Sequence, residues 1–119
     1  MTCSTSSLRF KTNVRPFLDG LDIIQKLRPI NFNWKQDGQP DIGLGAEDVA
    51  TVAPSFAVTD SKGEITGVKY DRLNIVLING IKEQQNQIEL LREQNAALNA
   101  RLQALERRSA KKPRHTRAQ

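Results

Sequence analysis

The spacing of apolar and polar residues along this chain changes at about residue 70. Before that point, apolar residues occur in short groups separated by Pro and Gly, whereas beyond Gly80 neither residue occurs until Pro113. Because Gly and Pro interrupt regular elements, the first part is predicted to fold as a small mixed domain and the second as one long helix. The predicted fold class is α+β.

Two elements are predicted at the start of the mixed domain. Apolar residues with helical spacing, followed by Pro29, predict a helix over about residues 17–27. Apolar and polar residues then alternate over residues 30–35, which predicts a strand with one buried face. A turn at Asp37 and Gly38 is expected to close it.

The rest of the mixed domain is predicted to contain a helix and a hairpin. Residues 46–53 have the length of a two-turn helix and are followed by Pro54. Residues 56–59 and 65–70 are predicted to pair as a β-hairpin across Asp60-Ser-Lys-Gly-Glu. A core of this size is marginal for an isolated domain.

The second part has a heptad pattern, in which apolar residues alternate at intervals of three and four. The nine seam positions are Leu77, Ile81, Gln84, Ile88, Leu91, Asn95, Leu98, Leu102 and Leu105. Seven of the nine are apolar, which predicts a parallel coiled coil. An amphipathic helix packed on its own domain is the alternative. The small first domain is too short to cover a helix that would project about 50 Å at 1.5 Å per residue.

The seam chemistry alone does not fix the number of strands. Ile at one seam position with Leu at the other favours two strands, as does a single buried Asn such as Asn95, whereas Gln84 is not diagnostic. Dimer and trimer both remain open on this ground. Asn95 either fixes the register of the helices or marks a point where their distal ends fray.

The positive charge of the chain is confined to its C-terminal end. The net charge is +5, but residues 107–119 hold six basic residues and no acid, so residues 1–106 carry 12 bases against 13 acids. A nucleic-acid-binding coiled-coil adaptor is therefore disfavoured.

The basic end is expected to be disordered beyond about residue 110, and to act either as a solubilising end or as a weak electrostatic attachment. If the basic end only solubilises the chain, deleting residues 108–119 is expected to leave assembly unaffected.

Cofactor, metal and membrane functions have little support in the sequence. The single cysteine, Cys3, cannot form an internal disulfide, and with the single His115 it provides no plausible ligand set for zinc. No cofactor is expected. There is no signal peptide pattern and no apolar run near the ~20 residues that span a bilayer.

The remaining candidate chemistry is a serine with a lysine. In Ser6-Ser-Leu-Arg-Phe-Lys11, a hydroxyl precedes an amine by five residues. A lysine accepts a proton from serine only when it is neutral, which requires apolar or positively charged surroundings. Phe10 and Phe17, or Arg9 and Arg15, could supply them. Taken alone, this spacing is common and also fits a solvated loop.

Five short blocks in a fixed order make a more specific pattern. They are Ser6…Lys11-Thr-Asn-Val, Leu27-Arg-Pro-Ile-Asn-Phe-Asn-Trp-Lys35, Gly43-Leu-Gly-Ala-Glu-Asp-Val49, Val68-Lys-Tyr-Asp-Arg-Leu73 and Ile78-Asn-Gly-Ile-Lys-Glu-Gln-Gln85. Over about residues 6–105 the chain thereby resembles the endosialidase-type intramolecular chaperone family. This family forms the self-cleaving C-terminal domain of phage tailspikes and tail fibres, and is related to the autoproteolytic domain of myelin regulatory factors.

The resemblance implies a function for the domain and its dyad. It implies a homotrimer that helps an upstream fibre or tailspike polypeptide to fold, and then cuts itself off with Ser6 as nucleophile and Lys11 as general base. The implied location is the cytoplasm of the bacterial host during virion assembly, or the virion tail if the domain is not released. The alternative function is a catalytically inactive structural trimerisation module. Neither a membrane nor a nucleic acid is expected as a partner.

The chain departs from the family pattern at two places. The family usually has Asp directly after the serine, where this chain has Ser7, so that Ser7 is an alternative nucleophile. The five-residue spacing to Lys11 favours Ser6. The family usually has Ala-Gln-Glu-Val where this chain has Ala46-Glu-Asp-Val49, in a predicted packing helix.

The resemblance also divides the chain into four regions. We expect a junction remnant at residues 1–5, a chaperone and autoprotease domain at 6–72, a coiled-coil helix at 73–108 and a disordered basic tail at 109–119. With five residues before Ser6, the chain is a fragment of a longer fibre protein, a separately encoded chaperone that acts in trans, or a degenerate remnant. A fragment or a truncated reading frame is the favoured explanation.

Overall fold

A computed structural model of the protein describes residues 5–111, and it contains short helices, two antiparallel hairpins and one long helix. The predicted α+β class is confirmed at this level. The helices and strands are α1 (Leu21–Ile24), β1 (Ile30–Asn33), β2 (Pro40–Gly43), α2 (Ala46–Val52), β3 (Ala57–Thr59), β4 (Ile65–Val68) and α3 (Tyr70–Lys111). Two 3-10 turns, Leu8–Phe10 and Pro54–Phe56, complete the elements of the described residues.

The first hairpin joins the predicted strand to a partner that the sequence did not indicate. In β1, Ile30 and Phe32 are half-buried while the residues between and after them are exposed, as the alternation predicts. β1 pairs antiparallel with β2, with Ile30 opposite Gly43. The strand ends before Trp34, because this residue begins the turn: its carbonyl accepts a 2.8 Å hydrogen bond from the amide of Gly38, whose φ is +72°.

The second hairpin lies within the predicted range but is shorter at both ends. β3 and β4 pair antiparallel, and Ala57 lies opposite Val68. Asp60 holds the turn with one carboxylate oxygen, which accepts hydrogen bonds from the amides of Lys62 and Glu64, both at 2.9 Å. Two residues predicted at its outer ends belong to other elements: Phe56 ends the second 3-10 turn, and Tyr70 begins α3.

The predicted helix over residues 17–27 is wrong at both ends, since α1 has only four residues. Before it, the carbonyls of Phe17 and Asp19 accept hydrogen bonds from a side chain of α3 instead of helical amides. At its start, the Gly20 amide donates a 2.9 Å hydrogen bond to the carboxylate of Asp22. This bond is the main cause that lowers the pKa of Asp22 below its usual value of 3.8.

A small hydrophobic core holds these elements together. Its members are buried side chains from α1, α2, the second 3-10 turn and the start of α3: Ile23, Val49, Ala53, Phe56, Leu73 and Val76. Val49 is completely buried, although it ends the Ala46-Glu-Asp-Val49 stretch that departs from the family pattern. The two acidic residues of that stretch are not in the core; Asp48 forms a 3.1 Å ion pair with Arg28.

The start of α3 also packs against the first hairpin. The hydroxyl of Tyr70 accepts a 2.9 Å hydrogen bond from the amide of Leu44. A Cβ atom added to Gly43 would lie 2.7 Å from the same hydroxyl, so glycine is required here by the close approach of the tyrosine. Residues up to Asn79 form one compact unit, and the chain from Gly80 onward forms a second.

The second unit consists, within the described residues, of the remainder of α3. The helix continues through residues 109–111, which the sequence analysis assigns to the tail; residues 112–119 lie outside the described part. The predicted domain boundaries stay predictions, as do the coiled coil and the trimer. No helix among residues 5–111 combines the length and apolar character needed to cross a bilayer.

Candidate functional site

Ser6 and Lys11 are in direct contact at the N-terminal end of the described chain. The Nζ atom of Lys11 donates a hydrogen bond of 3.0 Å to the Oγ atom of Ser6. A 3-10 turn between them brings the two side chains together, because the amide of Lys11 bonds to the carbonyl of Leu8 at 3.0 Å and reverses the chain. The two residues that sequence reasoning selected for catalysis therefore form a pair.

The hydroxyl of Ser7 has a different partner. It accepts a hydrogen bond of 3.4 Å from the amide of Arg9 and so caps the first turn of the 3-10 helix. An aspartate can cap a helical turn in the same way, because it also carries an acceptor oxygen on a short side chain. The departure from the family pattern at this position thus keeps a capping residue. It leaves Ser6, and not Ser7, beside the amine of Lys11.

The surroundings of the dyad are open in the single chain. Ser6 and Lys11 are exposed, and the apolar side chains of the 3-10 turn, Leu8 and Phe10, are 69% and 64% exposed. The guanidinium of Arg9 lies 4.7 Å from the centre of the Phe10 ring. Arg9 and Phe10, which were expected to provide positive and apolar surroundings for Lys11, thus lie near the dyad in sequence, but they do not enclose it.

The segment that follows Lys11 is irregular and contains a tight turn. Asn13 has a φ of +52°, and its carbonyl accepts a 3.2 Å hydrogen bond from the guanidinium of Arg15. Pro16 then restricts the backbone before Phe17. The ring of Phe17 packs edge-on against that of Phe56, with 6.2 Å between ring centres. Phe17 therefore anchors this segment to the core through one edge, although its side chain is 41% exposed.

Asn79 of α3 holds the same segment through its backbone. Its side-chain amide donates two hydrogen bonds, one of 2.8 Å to the carbonyl of Phe17 and one of 2.9 Å to the carbonyl of Asp19. Sequence reasoning quoted this asparagine only as part of a motif. Its contact crosses about sixty positions of the chain, so no local pattern could have identified it.

The apolar residues of the predicted seam are unburied in the single chain. Their exposed fractions run from 42% for Ile88 to 66% for Ile81. The two polar seam residues, Gln84 and Asn95, are exposed as well. Apolar side chains repeated at this spacing on a helix surface are typical of helices that associate with other helices.

The described residues do not bring together a typical metal site. Within residues 5–111, no three His, Cys, Asp or Glu side chains are grouped so that they could hold a metal ion. Cys3 and His115, on which the sequence-based argument against zinc depends, lie outside the described residues.

Fold and site together define a small α+β domain with an N-terminal serine and lysine pair and a long C-terminal helix. Residues 6–58 match the model of the family described as the chaperone of endosialidase, which confirms over that range the family that the sequence resembles. Both members of the pair lie inside the matched range. No curated protein gives a significant match to the chain.

Proposed function

We propose that the protein is the C-terminal intramolecular chaperone of a phage-type tail fibre or tailspike. It assembles as a homotrimer, assists the folding of the polypeptide in front of it and then releases itself by cleavage at the Ser6 and Lys11 dyad. The observation that carries this proposal is the 3.0 Å contact between Ser6 Oγ and Lys11 Nζ. It lies within the range that matches the chaperone of endosialidase family.

The dyad can perform one acyl transfer and one hydrolysis. Ser6 Oγ attacks the carbonyl carbon of the junction peptide while its proton passes to the neutral amine of Lys11, which then protonates the departing amine. Water hydrolyses the resulting ester and regenerates the hydroxyl. Because the substrate is part of the same chain, proximity replaces substrate binding and each copy reacts once.

Assembly supplies what the single chain lacks around the dyad. In the described hydrogen bond, the amine of Lys11 is the donor, whereas catalysis requires a neutral amine that accepts the proton of Ser6. A buried ammonium ion without a partner is costly, so a neighbouring copy that covers Leu8 and Phe10 would favour the neutral amine. Cleavage is then tied to the assembled state.

The long helix supports assembly through its seam. Its apolar seam residues are between 42% and 66% exposed in the single chain, and association of helices removes this surface from water. The first unit, which includes the start of α3, has only six buried core residues among those described, so it also gains from contact with other copies. The cytoplasm of the bacterial host is where such a chaperone meets its newly made client.

Cleavage is tested with a reporter protein fused in front of Met1. The wild-type fusion is expected to release the reporter, whereas Ser6→Ala and Lys11→Ala fusions keep their full mass on a denaturing gel. Ser7→Ala is the matched control: it removes a neighbouring hydroxyl that caps the 3-10 turn and leaves the dyad in place, so it should still be cut.

Sedimentation of the same samples separates the proposal from its alternative. Equal masses for wild type and Ser6→Ala contradict self-cleavage. If those uncleaved chains sediment as trimers, the catalytically inactive structural trimerisation module is the correct function. A monomer at micromolar concentration contradicts both functions.

A further inference from the structure

Asn79 connects the segment that carries the dyad to the part of α3 that lies in the first unit. The two hydrogen bonds from its side chain end on the carbonyls of Phe17 and Asp19, eight or fewer residues after Lys11. Within the segment itself, Lys11 bonds to Ser6, the amide of Arg9 to Ser7 and Arg15 to Asn13. Asn79 provides a polar connection from this segment to α3.

The chain between the dyad and this connection is stiffened locally. Asn13 holds a left-handed turn that Arg15 bridges, and Pro16 fixes the next backbone angle. Because this connection is stiff, holding residues 17–19 in place also restricts where Lys11 can lie. The half-buried side chain of Asn79 is suited to this, since both of its amide hydrogens are used.

We propose that Asn79 is a positioning residue for the cleavage reaction: its carboxamide holds residues 17–19 against α3 and so fixes where the dyad stands relative to the junction peptide. This inference rests on the proposed function. Asn79 lies two residues after Leu77, the first seam position, and shares its helix. The segment that follows the dyad is thereby tied to the part of α3 that belongs to the first unit.

The test compares cleavage rates in chains that have assembled. The reporter fusion is diluted out of urea, cleavage is followed on denaturing gels, and assembly is checked by sedimentation velocity. Asn79→Ala is expected to lower the first-order cleavage rate at least tenfold while the sedimentation coefficient stays that of the wild type, because small misplacements of reacting groups have large effects on rate. An assembled Asn79→Ala chain that cleaves at the wild-type rate overturns the proposal.

The chain offers a matched control one heptad further along α3. Asn86 is exposed and lies two residues before Ile88, as Asn79 lies two residues before Ile81. Asn86→Ala makes the same change in helix propensity and should cleave at the wild-type rate. A loss of rate in Asn86→Ala as large as that in Asn79→Ala would assign the effect to the helix in general and overturn the proposal.

Two further substitutions separate positioning from structural support. Asn79→Asp keeps the size of the side chain but turns an acceptor toward two carbonyls, so it should be as slow as Asn79→Ala or slower. Asn79→Gln keeps both N–H donors and should cleave faster than Asn79→Asp. Equal rates for these two variants would contradict a role for the donated hydrogen bonds.

A second measurement does not depend on cleavage. In a Ser6→Ala background, amide hydrogen exchange over residues 17–20 should be faster in Asn79→Ala than in the chain that keeps Asn79. Unchanged exchange contradicts the proposal that Asn79 holds residues 17–19 against α3, whatever the cleavage rates are. If the wild-type fusion is never cut, the proposed function fails, and the exchange result still decides whether Asn79 holds the segment.

Discussion

Replacement of a seam leucine by aspartate tests how the chains assemble. Leu91 is 56% exposed in the single chain, and complete burial of a leucine contributes about 1.5–3 kcal/mol. Burial of its exposed part in a helical seam is therefore worth about 1–1.5 kcal/mol per chain. For three chains the lost leucine contacts alone weaken association at least ~100-fold, since about 1.4 kcal/mol corresponds to a factor of ten.

The carboxylate adds a larger penalty, because it would be buried without a partner in Leu91→Asp. We expect a trimer for the wild type and a monomer for Leu91→Asp in sedimentation equilibrium at micromolar concentration. Leu90→Asp is the control: the residue is 54% exposed and adjacent, but it lies outside the seam. A trimeric Leu91→Asp, or equal dissociation of both variants, would refute the assigned seam.

Three further predictions concern the first unit. Val49→Ala removes two methyl groups from a fully buried position, and should lower the free energy of unfolding by about 2–3 kcal/mol in urea titrations. Gly43→Ala places a Cβ 2.7 Å from the Tyr70 hydroxyl, and its cost in the same assay, about 1–3 kcal/mol, should shrink in a Tyr70→Phe background. The Gly20 amide lowers the pKa of Asp22, so the folded state binds this proton less readily than the unfolded state. The stabilisation of the folded state by ionised Asp22 is therefore present above about pH 3.8, and it is lost as the pH falls through the lower pKa that Asp22 has in the folded state. The difference in unfolding free energy between wild type and Asp22→Asn should shrink over this range.

The parts of the fold that the sequence predicted are those with a bounded local pattern. α2 was predicted almost residue for residue, because Pro54 ends a short apolar and polar repeat. The second hairpin was predicted because a polar turn separates two apolar groups. β2 was not predicted, because its residues Pro40-Asp-Ile-Gly43 have the composition of a turn, and its pairing with β1 is what makes it a strand.

Contacts between distant positions account for the remaining differences. The helix predicted over residues 17–27 begins only at Leu21, because Asn79 takes carbonyls that a longer helix would use. It ends at Ile24, because the amides of Lys26 and Leu27 bond to the third residue back instead of the fourth. For the candidate site, spacing selected Ser6 and Lys11, but it could not reveal the 3-10 turn that joins them. The contact of Asn79 with the segment that follows the dyad depends on how the fold places α3, which no local pattern encodes.

The 3-10 turn between Ser6 and Lys11 has a consequence for the order of events after synthesis. The two residues are five positions apart, so their contact forms by closure of a very short loop. Loops of about ten residues close in roughly 10–100 ns, long before separate chains meet. The hydroxyl and the amine are therefore neighbours in every copy from the start. Under the proposed function, a delay of cleavage until assembly therefore cannot come from keeping Ser6 and Lys11 apart. It has to come from water around the amine and from a junction peptide that is not yet in reach.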